Sequence, residues 1–245
     1  MTSPPVARFP PTMSQTIVGA MPLVLGQVYL VWLVVSGRMN FFEVVLMSVI
    51  EVVLMVWSGI IFLSPNEAVK SRRLHDQKSL MFMLLFMLYL ALTVTTLTLR
   101  HDNDTPPGMI SEMFLVVVDA LTGRAVLYGA IYLAITMGLS AAAARHSGDQ
   151  MRSWYAHSYF PNSMSFIAMF ATVFFGFFPT VMQAEDYPTR LGPWVSVELT
   201  ALLGLFRIAF GIVMIRKMTP EEFEKMYTKF RAGDDSVEPR QSLHR

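Results

Sequence analysis

Two ionisable residues stand where chemistry would be sought first. Glu51 lies near the middle of a long apolar run over residues 41–64, and Arg207 somewhat past the middle of another over 194–215. A charge at the centre of a bilayer costs at least about 2.5–3.5 kcal/mol on insertion scales, so opposite charges at similar depth on different helices invite pairing. A carboxylate held there can titrate, and so carry a proton or meet a substrate. The same pair can instead be a structural bridge that fixes helix register.

Other polar residues in or beside the apolar runs are weaker candidates. Glu198 is nine residues before Arg207, which points the two to opposite faces of a helix, so they need different partners. Asp119 and Arg124 are five apart, a poor spacing for a pair within one helix. Glu43 falls at the start of the 41–64 run, where an acid suits the helix dipole. Softer stripes follow helical spacing: Tyr89, Thr93, Thr96 and Arg100; Ser48, Glu51 and Ser58; Tyr128, Tyr132 and Thr136. Such stripes line polar cavities or, more commonly, make hydrogen bonds between helices. Ala130, Ala134 and Gly138 form a small-residue face suited to close helix contact, internal or with a partner.

Several chemistries are disfavoured. There is no cysteine, hence no disulfide, thiolate nucleophile or thiolate metal site. All five histidines fall outside the apolar runs, which argues against a histidine-held haem or metal within them. The nineteen methionines then read as flexible apolar filler rather than a copper site. No phosphate-binding glycine loop, dinucleotide fingerprint, His-Glu-x-x-His or Gly-x-Ser-x-Gly occurs, so an enzyme is the minority reading. A net charge of +1 gives no basic field for nucleic acid. No metal or cofactor is expected from the chain itself, and a bound lipid is the one small molecule the reading admits.

These residues must be carried by membrane helices. The chain is 245 residues long, 53% hydrophobic and 15% charged, against about 25% charged for a soluble domain. Its mean hydropathy is +0.46. Apolar runs at 14–36, 41–64, 79–99, 109–144, 163–183 and 194–215 each approach or exceed the roughly 20 residues a helical span needs. The spacing predicts an all-α, polytopic transmembrane bundle of about six spans, since alternating barrel patterns are missing and backbone groups in lipid must bond internally. The first run reads as a retained helix, because no small-x-small cleavage pattern follows it. The run 109–144 is too long for one upright helix: either it tilts, or it breaks near Gly123 into a short segment and a span over 125–144.

Positive charge orients the bundle. With both termini cytoplasmic, fourteen Lys and Arg fall inside and three outside, Arg38, Arg100 and Arg190. That bias is a strong positive-inside signal, expected of a multi-pass protein such as one of a bacterial inner membrane. After the last span, Thr219-Pro220-Glu221-Glu222 is a helix start. Phe223, Met226, Tyr227 and Phe230 then share a face, predicting an amphipathic helix over 219–232 on the cytoplasmic leaflet or packed on the protein's own loops. Residues 1–13 and 233–245 read as flexible tails around a membrane domain over 14–218. No internal repeat is visible, which weakens an inverted-repeat transporter.

Residues 22–25, together with the stretch from Phe41 to Glu51, resemble the opening of a six-span bacterial and archaeal membrane family with no assigned function. There a helix start precedes an aliphatic run ending in an acidic or amide residue. Residues 202–218 resemble that family's last helix, which ends in a basic cytoplasmic turn. The chain departs from it in the third and fifth spans, where the family carries histidines and residues 79–99 and 163–183 carry none. The resemblance implies the architecture and no activity.

The expectation is therefore a non-catalytic accessory or structural subunit, embedded in membrane lipids beside other membrane subunits. The alternative is a small transporter or channel centred on Glu51 and Arg207.

Overall fold

A computed structural model describes residues 13–63, 75, 77–100, 109–145, 167–175, 194–217 and 219–232. The described residues are helical apart from short turns. They form α1 (Met13–Val35), α2 (Phe41–Leu63), α3 (Lys78–Arg100), α4 (Met109–Thr122), α5 (Arg124–Arg145), α6 (Trp194–Lys217) and α7 (Pro220–Ala232). A further helical stretch covers residues 167–175. Residues 1–12 and 233–245 of the expected tails, and most of the apolar run 163–183, lie outside the described residues, while Met13 opens α1.

Three helices are long and apolar enough to cross a membrane, through Phe41–Ser58, Lys78–Thr96 and Trp194–Val213. The long run at 109–144 is two helices, α4 and α5, bent by 55° at Gly123; counted as one broken span they make a fourth. Gly123 donates its backbone N–H to the Asp119 carbonyl at 2.7 Å, and a Cβ there would stand 2.6 Å from that same oxygen. A side chain at this position would collide with backbone, so the bend needs glycine. The described apolar part of α1, Ala20–Val35, is shorter than a full span.

The turn joining α1 to α2 is closed at both ends by backbone chemistry. Gly37 adopts φ +66°, and the N–H groups of Gly37 and Arg38 bond the carbonyls of Val34 and Leu33. This is the Schellman pattern that ends a helix and satisfies its last carbonyls. Two residues later, the Asn40 side chain accepts from the Glu43 N–H at 3.0 Å, and the Glu43 carboxylate accepts from the Asn40 N–H at 2.6 Å. A third free amide of the first turn of α2, that of Phe42, donates across to Thr95 Oγ1 on α3 at 3.1 Å. Orphan amides at a helix end are costly away from water, and here three have partners.

α1 lies against α5 and α6; α2 touches α3, α5 and α6; and α4 bridges α3 and α5. One apolar core, including Leu30, Leu33, Val44, Val45, Leu84, Met87 and Leu203, runs through these helices. Outward faces carry large apolar side chains, among them Phe82, Leu85 and Phe86 on α3, Ile110 and Phe114 on α4, and Leu205 on α6. An exposed surface so apolar suits lipid.

α7 begins with a reciprocal cap: Thr219 donates to the Glu222 carboxylate from its N–H at 2.8 Å and its hydroxyl at 3.0 Å, and the Glu222 N–H returns a bond to that hydroxyl. The Thr219 backbone N–H, and after it the hydroxyl, hold the Glu222 carboxyl below its usual range. The cap thus acts fully at neutral pH and fades as pH falls through that lowered value. Phe223 and Tyr227 are buried and stacked at 6.1 Å, while Glu221, Glu222 and Lys225 are exposed.

α1 approaches α5 through Gly26, where a Cβ would lie 2.4 Å from Thr136 Cγ2 and 3.0 Å from the Tyr132 ring. Gly26→Ala is expected to force the helices apart and cost about 1–3 kcal/mol. Gly138→Ala, with nothing within 4 Å, is expected to be neutral or stabilising by up to about 1 kcal/mol. Unfolding of the two purified variants, followed by circular dichroism, checks the contrast.

Candidate functional site

α2, α5 and α6 converge on one polar cluster. Glu51 and Ser48, three residues apart on α2, face the interior, as do Tyr132 on α5 and Arg207 on α6. The Arg207 guanidinium donates through Nη2 to Glu51 Oε2 at 2.6 Å, an ion pair. Nη1 donates to Tyr132 Oη at 2.8 Å, and the Tyr132 hydroxyl in turn donates to Glu51 Oε2 at 2.5 Å. The three groups form a closed ring, each bonded to the other two. Ser48 Oγ lies at the edge of reach, 3.4 Å from Nη1. Exposure is 1% for Glu51 and 0% for Tyr132 and Arg207.

The ring solves an electrostatic problem. An isolated charge in an apolar medium is strongly disfavoured, and two charges recover the loss only with good geometry and extra hydrogen bonds. Tyr132 supplies those bonds to both partners, accepting from the cation while donating to the anion. Chemically, the arrangement neutralises and rigidifies. Proton release from Glu51 or capture of an anion by Arg207 would first require the ring to open.

The remaining sequence candidates are scattered. Glu43 is buried, but its carboxylate caps the start of α2. Asp119 and Arg124 are exposed on either side of the bend at Gly123, and Glu198 is exposed near the start of α6. The face of Ala130, Ala134 and Gly138 is exposed on the described bundle, so of its two expected uses the internal one is not made among the described residues. The buried face of α5 is instead Ala125, Gly129, Tyr132, Thr136 and Ser140, because Tyr132 must turn inward to reach Glu51 and Arg207. The threonines of the stripes bond mostly within their own helices. Thr93, Thr96 and Thr136 donate to carbonyls four residues earlier in their own helices; Thr95 makes the bond that crosses between helices.

One interior residue escaped the sequence reading. Gln27 on α1 is 2% exposed, and both its Nε2 and Oε1 lack hydrogen-bond partners. Its signal was a lone carboxamide inside an apolar run. At one end of α1, the Arg38 guanidinium stacks on the rings of Trp32 at 4.8 Å and Tyr128 at 5.6 Å, tying α1 to α5. Among the described residues, no three acidic or histidine side chains gather as a metal site.

No family model, curated protein or solved structure matches the chain. The six-span family that two of its stretches resemble is therefore not shown for it.

The ring generates a thermodynamic expectation. Glu51→Leu and Arg207→Met should each cost about 3–5 kcal/mol by stranding the other charge, while the double variant should return to within about 1 kcal/mol of the parent or exceed it. Denaturant unfolding of the purified proteins in detergent measures this cycle. Single variants that each lose less than about 1 kcal/mol would remove the bridge from its role.

Proposed function

We propose that this chain is a non-catalytic accessory or structural subunit of a larger membrane complex. The observation that carries this reading is the sealed ring. Glu51, Tyr132 and Arg207 spend their polarity on one another at 0–1% exposure, which suits a register clamp better than a substrate site. A transporter or channel would use the same charges open to a path.

The partner-facing surface in this reading is α5. Ala130, Ala134 and Gly138 lie exposed along it, and small residues at this spacing let a second helix approach closely. Around this core we place six spans with both termini in the cytoplasm, following the distribution of Lys and Arg. α7 then lies on the cytoplasmic side, with Phe223 and Tyr227 covered by the protein itself and Lys225 exposed.

Two measurements test the proposal. Extracted gently from its native membranes, the protein should migrate on native gels as a complex larger than one chain in detergent, and Ala134→Leu should release the single chain without loss of helicity. Migration of the parent protein as a single chain would overturn the subunit reading. The lack of cysteine makes orientation directly readable. A membrane-impermeant maleimide added to intact cells should label Asn103→Cys and leave Ser71→Cys unlabelled until the membrane is opened.

A further inference from the structure

Gln27 is a nearly fully buried neutral side chain, 2% exposed, in the interior of the bundle. A carboxamide offers two donors and an acceptor oxygen, and within a bilayer there is no bulk solvent to satisfy them. Yet both ends of this one are buried without a partner.

Its surroundings locate it beside the ring. The Gln27 side chain packs on Gly204 of α6, where an added Cβ would meet Oε1 at 3.2 Å and Gln27 Cβ at 3.3 Å. Gly204 is three residues before Arg207, so about one helical turn of α6 separates the residue that Gln27 packs on from the residue that supplies the guanidinium. The preceding residue, Gly26, abuts Tyr132 and Thr136 of α5. The carboxamide therefore lies where α1 closes over the ring, between α5 and α6.

We propose that Gln27 is the wall of a small polar site at this junction, and that its ligand is a single water molecule. Three constraints select water. The ligand must offer a donor and an acceptor, because Nε2 and Oε1 are both unpaired. It must be neutral, because Arg207 and Glu51 already balance each other. It must be very small, because α1 and α6 meet in van der Waals contact at Gly204. Buried waters commonly make about three hydrogen bonds to polar groups that otherwise lack them. The inference goes beyond the subunit reading and does not depend on it.

The test uses the full chain, nitrogen-15 labelled and reconstituted in phosphatidylcholine vesicles. Solid-state nuclear magnetic resonance should show magnetisation passing from water to the Gln27 side-chain amide, a signal identified by its loss in Gln27→Met. Methionine keeps the length of the side chain and deletes both polar ends. It should also lower the thermal unfolding midpoint, by about 2–4 °C for a chain of this size if the bonds to water are of ordinary strength. A missing transfer signal in the folded protein, or a midpoint raised by methionine as an orphaned amide is relieved, would overturn the proposal. Transfer arising from a copurified organic molecule would overturn the choice of water.

Discussion

A guanidinium cannot be left alone in hydrocarbon, and the arrangement of this bundle follows from that constraint. Arg207 needs an anion at its own depth, and Glu51 on α2 provides it at 2.6 Å. The pair needs a further group that can donate to one partner and accept from the other, and the Tyr132 hydroxyl does both. Those bonds fix the depth of α2 against α6 and the rotation of α5 about its axis. Rotation of α5 then decides which of its faces is inside, and so leaves Ala130, Ala134 and Gly138 outward. α1 contributes no charge to the ring. It closes over the ring by close approach at Gly26.

The same shortage of solvent governs the smaller polar groups. Helix ends within reach of lipid are closed by the Gly37 termination, by the Asn40–Glu43 cap and by Thr95 reaching Phe42. Interior threonines bond back to their own helices. Among the described residues, polarity inside the bundle is therefore mostly local and satisfied, with the ring as the main long-range exception and the Gln27 carboxamide among the groups left unpaired.

Legibility in the sequence tracked the physical origin of each feature. The membrane helices were visible because apolar run length is a direct signal, and the Glu51–Arg207 pairing because depth can be counted along a helix. Length shows that 109–144 is too long to be simple and Gly123 marks where it can break; the choice of a 55° bend over one tilted helix rests on the Asp119 carbonyl, which no spacing reveals. Spacing tells which residues share a face and not which way that face points; so Ala130, Ala134 and Gly138 grouped correctly, while their outward direction was hidden. Tyr132 was recognised only as part of a stripe, since a phenol has no charge to demand a partner. Gln27 was missed for the same reason. The helix dipole favours an acid at Glu43, and its capping bond to Asn40 supplies a more specific cause.

The ring also has an order of assembly written into it. Glu51 and Arg207 are 156 residues apart, and at about 5–20 residues per second that separation corresponds to about 8–30 s of synthesis. The carboxylate of α2 thus leaves the ribosome well before its cation exists. During that interval the nascent bundle holds an acid without its counter-ion, and the last long apolar helix is the one that completes it. α6 acts as a closing element in biogenesis: a chain truncated before it would carry an exposed acidic defect that distinguishes an unfinished protein from a finished one.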